Sequence, residues 1–340
     1  MRRRKLVLSI GTISFLMIAG PAWACGGLVG ANGTLSLGRT TTLAAYHDGI
    51  EHYITGFSFA GSGAAFGSIV PLPGVPTEVA KAGDWTLQRL LLEVQPPLAE
   101  SATLSVADAD RSAEVILETT VDSLDITVVK GGGAAVGTWA RENGFGLSPD
   151  APEVLDFYAA RSPVFMAVRF NAERAKEQGL ELGQATPVQV TIPTDNPWVP
   201  LRILALGKQD IEPVQADVFL LTERRPALLP KSNGLFLERS EPASDFLLQD
   251  LRSDSRMEWL PTSDMWFTYV RLDTTAGALG YDLAVDATGR GDPSEVDAGL
   301  APVELPASVP SGRVAWMAVL TLAILAVTAV AAERRVNVWR

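Results

Sequence analysis

From Val314 to Ala332 the chain runs nineteen residues without a charge, VAWMAVLTLAILAVTAVAA. At about 1.5 Å per residue, a helix of that length reaches about 28 Å, close to the hydrocarbon thickness of a bilayer. A helix on the surface of a soluble core keeps one polar face, and this run has none. A transmembrane helix is therefore expected over 313–332. Arg334, Arg335 and Arg340 follow the run while Arg313 alone stands before it, so the 333–340 tail is expected on the cytoplasmic side. The other end agrees with this orientation. MRRRK leads into LVLSIGTISFLMIAG and then PAWA, the basic, apolar and small-residue regions of a secretory signal peptide over 1–24. Cleavage is expected between Ala24 and Cys25. The chain then reads as a single-pass protein of a bacterial cell membrane, with its N-terminal domain outside the cytoplasm.

The net charge is −11, and many basic residues sit in the two terminal segments, so the part between them is more acidic still. That balance argues against nucleic acid and anionic lipid head groups as partners. The partners expected are the membrane itself, through the single span, and another envelope protein. Residues 25–285 read as one extracytoplasmic domain of α+β class, β-rich with a few helices. TTTLAAYHDGIEHYITGFSF at 40–59 is a predicted hairpin, because Asp48-Gly49 supplies the positive φ of a two-residue turn. Helices are predicted at 85–94, 134–142 and 152–160. Strands are predicted at 115–121, 124–129, 162–170, 186–192, 201–206, 216–222, 266–273 and 279–286. Proline, glycine and acids dominate 286–312, which reads as a flexible stalk.

Several stretches resemble a family of exported bacterial proteins catalogued only as a domain of unknown function. They are ACGG at 24–27, FAGSGAAFGSIVPLPGVP at 59–76, WARENGFGLSPDAPEVLDFY at 139–158 and SPVFMAVRF at 162–170. VPLRILALGK at 199–208, ADVFLLTE at 216–223 and FTYVRLDTTAGALGYDLAVD at 267–286 complete the series in the same order. Two positions depart from the family. Ser68 stands where a tryptophan is usual, and LVGANG follows ACGG where many members carry a second cysteine. The resemblance thus implies no disulfide here, and it carries over no catalytic residue.

Catalytic motifs are scarce. The sequence holds no Walker loop, no dinucleotide glycine fingerprint, no GxSxG elbow and no HExxH, so no cofactor is expected. Gly131-Gly132-Gly133 lacks the further residues of a phosphate loop and reads as a plain turn. Three functional readings are open. The leading one is a binding or scaffolding role toward other envelope components. The second is an envelope hydrolase with Cys25 as an N-terminal nucleophile, whose own α-amine would act as base. Lipidation of Cys25, or a disulfide between two chains, competes with that use. The third is a metal-binding surface through His47 and His52, which flank the predicted turn and emerge on one face of the hairpin, with Glu51 on the other. Mass spectrometry of the mature N-terminal peptide is expected to begin at Cys25. A chain that still begins at Met1 would retain its first apolar run as an anchor.

Overall fold

The computed structural model describes residues 27–30, 39–58, 66–94, 114–178, 185–231 and 234–303. The expected signal peptide, Cys25, the expected transmembrane helix and the tail lie outside them. No helix among the described residues is long and apolar enough to cross a membrane.

In chain order the elements begin with strands β1 (Gly27–Gly30), β2 (Thr40–His47), β3 (Ile50–Ser58), β4 (Phe66–Pro71) and β5 (Glu78–Lys81), then helix α1 (Thr86–Val94). Strands β6 (Glu114–Val121) and β7 (Leu124–Lys130) precede the helical pair α2 (Gly133–Glu142) and α3 (Ala151–Ala159). Strand β8 (Val164–Phe170), the short helix α4 (Ala172–Glu177), β9 (Ala185–Pro193) and β10 (Trp198–Val199) follow. The last part holds β11 (Pro213–Thr222), β12 (Ala227–Leu229), β13 (Leu235–Pro242), α5 (Asp245–Arg252), β14 (Trp266–Thr275) and β15 (Leu283–Asp286).

Three sheets result. The largest has the order β13-β14-β11-β2-β3-β9-β5, the second β1-β4-β8-β7-β6, and the smallest β10-β15-β12. All neighbours are antiparallel except β2 and β11, which run parallel. Side chains alternate across a strand, so each sheet has two faces to cover. The central core lies between the large sheet and the other two, with Tyr46, Tyr53 and Val218 meeting Val128, Met166 and Val285. Behind the five-stranded sheet, Ile69 and Phe165 pack on Val136, Trp139, Leu155 and Tyr158 of α2 and α3. Behind the large sheet, Leu43, Ile54 and Phe219 pack on Leu90, Leu247 and Leu251 of α1 and α5. The class is therefore α+β, arranged as helices, sheet, sheet, helices. Burial on both faces explains why β2 and β11 read as nearly unbroken apolar or threonine runs.

The β2–β3 hairpin turns at Asp48 (φ +51°) and Gly49 (φ +76°), both left-handed as a two-residue turn of this kind requires. At Gly133 a Cβ would lie 2.8 Å from the Asp156 backbone nitrogen, so only glycine lets α2 start this close to α3.

Two expectations are corrected. The predicted strand at 201–206 is a 3₁₀ turn over Arg202–Ala205. Its leading N–H groups are taken up elsewhere: Leu201 and Arg202 donate to Asp282 Oδ1 at 2.7 and 2.9 Å, and Ile203 donates to the Tyr158 hydroxyl at 2.8 Å. The flexible stalk expected from 286 is contradicted over 286–301, because the compact unit continues to Ala301. The Asp286 carboxylate accepts the N–H groups of Thr288, Gly291 and Asp292, Ala298 is fully buried, and Asp282 N donates to Ala298 O at 3.1 Å. Those donors hold the Asp286 carboxyl down at about 2 against the opposing effect of its burial. Gly289 and Gly291 thus serve as left-handed turn residues in an ordered segment.

Asp282 ties these pieces together. It is wholly buried, accepts from Tyr158 Oη at 2.8 Å and pairs with Arg161 Nη2 at 2.6 Å. Arg161 lies over the rings of Phe157, Tyr158 and Trp198, at 3.9, 4.9 and 5.1 Å, and donates to Asp297 O. Burial pushes the Asp282 carboxyl up from its ordinary value, while Arg161 and the backbone donors pull it down. Removing one partner of such a pair leaves the other charge buried alone. Asp282→Ala is expected to cost about 3–5 kcal/mol in urea unfolding. A loss below about 1 kcal/mol would show that the network is not a keystone.

Candidate functional site

The hairpin tip gathers polar groups from three elements. β2 and β11 run parallel with Tyr46 beside Thr222, so the next residues, His47 and Glu223, leave their strands side by side. Glu223 Oε1 accepts the Asp48 N–H at 3.2 Å and lies 3.5 Å from His47 Nε2. On the other side of the ring, Asp48 Oδ2 is 3.5 Å from Nδ1. One donor atom from each of His47, Asp48 and Glu223 lies within 4.8 Å of the others. The ring is about one-third exposed, and both carboxylates face solvent.

His52 shares the helix-covered face with His47 but is engaged differently. Its ring stacks on Trp259, with centroids 3.7 Å apart and planes 8° from parallel. The Trp259 indole N–H can only donate, and it reaches Gln189 Oε1 at 2.8 Å. That orientation turns the Gln189 amide nitrogen toward His52 Nδ1 at 3.3 Å, so Nδ1 accepts and the neutral ring carries its proton on Nε2. Burial, with a smaller push from His47, lowers His52 to about 4. What gathers round His47 is therefore Asp48 and Glu223, while His52 is held by Trp259 and Gln189. The partnership with Glu223 was hidden in the sequence, because it comes from a strand pairing between distant segments.

Glu51 points the opposite way, into the central core. It is fully buried, neither carboxylate oxygen has a hydrogen-bond partner, and burial raises its pKa to about 8. It is a neutral acid at pH 7.

A second feature lies at one border of the large sheet. β13 pairs with β14 on one side and, among the described residues, with no strand on the other. Phe236 and Leu237 on β13 are 44% and 55% exposed, and Phe246 at the start of α5 is 70% exposed. Leu92 of α1 is exposed in the same helical layer. Arg239 donates to Glu93 O at 2.7 Å, and Arg89 lies 5.7 Å from the Phe246 ring, which links β13, α1 and α5. A bulge between Leu237 and Arg239 interrupts the strand. β13 escaped the sequence reading because LFLERSEP has no clean alternation. The helix after it, α5, also escaped the sequence reading, although its signals are local: Ser244 caps it by accepting from Leu247 N at 3.1 Å, and Leu247, Leu248 and Leu251 have helical spacing.

The architecture is that of a four-layer α+β domain with polar groups at a hairpin tip and an apolar sheet edge. The chain belongs to the family described as an uncharacterised protein conserved in bacteria (DUF2330), which matches residues 20–232. No curated protein matches it. Two solved structures align with it at low scores. One is a mutated baculovirus P35 after caspase cleavage, 7% identical, with a TM-score of 0.38 over 74% of this chain and 98% of that one. The other is baculovirus P35, 8% identical, with a TM-score of 0.36 over 73% and 96%. These values are too low to carry a functional parallel.

The buried acid generates a prediction. In the unfolded chain Glu51 ionises from its ordinary value of 4.5, whereas in the folded chain it keeps its proton to about pH 8. Its contribution is therefore fully present below pH 4.5 and is lost as pH rises toward 8, where the unfolded state alone has released the proton. At about 1.4 kcal/mol per pKa unit, the loss is on the order of a few kcal/mol. Glu51→Gln is expected to remove this decline. Unfolding free energies at pH 5 and pH 8 that fall equally in both proteins would contradict the assignment.

Proposed function

We propose that this chain is a single-span protein of the bacterial envelope whose outer domain binds or scaffolds another envelope component. The observation that carries the reading is the border of the large sheet, where Phe236, Leu237 and Phe246 stand exposed beside a strand with an unpaired side among the described residues. An open strand offers backbone donors and acceptors to an extended segment, and exposed apolar side chains give that segment something to bury. Much of the buried ionic chemistry is already engaged in holding the domain together. Asp217 is nearly inaccessible and pairs with Arg39 and Tyr269, as Asp282 does with Arg161 and Tyr158. The uncharged run at 314–332 supports the anchor, and the MRRRK and PAWA segments support export.

The test is site-specific photocrosslinking in intact envelopes. A crosslinker at Leu237 of the full chain is expected to give a discrete adduct that weakens several-fold with Phe246→Asp. The same group at Lys130, exposed on the other sheet, is expected to give none. Equal labelling from both positions, or none from Leu237, would refute the reading.

A further inference from the structure

We propose that the tip of the β2–β3 hairpin is a divalent transition-metal site, with His47, Asp48 and Glu223 as its protein ligands and zinc as the ion that fits the donor set. This goes beyond the binding surface at β13 and does not depend on it. The chain has two histidines and one cysteine, so a site with an imidazole donor must draw on His47 or His52. His52 already accepts at Nδ1 from the Gln189 amide, one of its faces lies against Trp259, and among the described residues no carboxylate is gathered beside it. His47 is the ring that presents a nitrogen to solvent with carboxylates beside it.

One imidazole and two carboxylates are a ligand set zinc accepts, with bonds of about 2.0–2.2 Å and a remaining position for water. The three donor atoms already lie within 4.8 Å of one another. Asp48 and Glu223 flank opposite nitrogens of the His47 ring and have exposed side chains, so an ion on one nitrogen requires the carboxylate beside the other to turn toward it. The backbone beneath them is fixed: the parallel β2–β11 register sets His47 against Glu223, and the left-handed turn sets Asp48. The nearest arginines in sequence are drawn away, Arg225 over the Trp266 ring at 6.0 Å and Arg224 against Gly289. A bound cation would offset the two carboxylate charges and bridge the hairpin to β11.

The experiment is calorimetric titration of Zn²⁺ into the full chain, purified in mild detergent and stripped with EDTA, with the thermal midpoint followed in parallel. One equivalent per chain is expected, with a rise in midpoint. His47→Ala is expected to abolish both, Glu223→Gln and Asp48→Asn to weaken binding about ten-fold or more, and His52→Phe to leave it unchanged. Asp48→Asn keeps a residue that tolerates positive φ, so it tests the ligand should His47→Ala fail to fold. Absence of stoichiometric binding would overturn the proposal. So would binding that survives the His47, Asp48 and Glu223 variants, or that is lost equally in His52→Phe.

Discussion

One buried carboxylate holds together segments that the sheets alone would leave unconnected. Asp282 stands just before β15 and accepts from the Tyr158 hydroxyl on α3, from Arg161 beyond that helix, and from two consecutive backbone N–H groups at 201 and 202. Its own backbone nitrogen reaches Ala298. An isolated charge in such a place is strongly unfavourable, whereas a charge with this many donors is tolerated and aligns everything that donates to it. The stacking of Arg161 on three aromatic rings extends the same constraint into the helical layer. The small sheet, the 3₁₀ turn and the segment around Ala298 are all tied to α3 through it.

The same interaction explains where sequence reasoning succeeded and where it failed. Local signals were sufficient for the hairpin at Asp48-Gly49, for α1 ending before Pro96-Pro97, and for α2 and α3, because turn chemistry and helical spacing are written in neighbouring residues. They failed at VPLRILALGK, whose apolar run has the composition of a strand but whose amides are claimed by Asp282 and Tyr158 from a distance. They failed again after Asp286, where glycine, proline and acid mark tight turns capped by a carboxylate, and composition alone cannot tell those from a flexible linker. At the candidate metal site His47 was visible in sequence. Glu223 was not, because its position follows from a parallel pairing that no local pattern encodes.

Covering both faces of two sheets leaves few places for function. Apolar side chains fill the three internal layers, and the most buried acids other than Glu51 are partnered by arginine, tyrosine or backbone donors. What remains accessible is at the borders. One sheet border carries apolar side chains, yet the bulge after Leu237 and the charges at Glu238, Arg239 and Glu241 discourage indiscriminate strand addition along its length. The proposed recognition would rest on the first half of β13 and the adjoining helices. The tip of the β2–β3 hairpin, with His47, Asp48 and Glu223, is the other.

The parallel pairing of β2 with β11 also orders events in time. Arg39 and Asp217, which bond across that pair, are 178 positions apart. A ribosome makes β2 and β3 long before β11 exists, so the hairpin must wait with one side of its central strand open. During that interval TTTLAAY is an exposed, uncharged strand of high β-propensity, the kind of segment that associates with copies of itself. The open side of β2 therefore stays unpaired until β11 has been made. A nascent chain of this design depends on being kept extended, or shielded, until more than two hundred residues have been made.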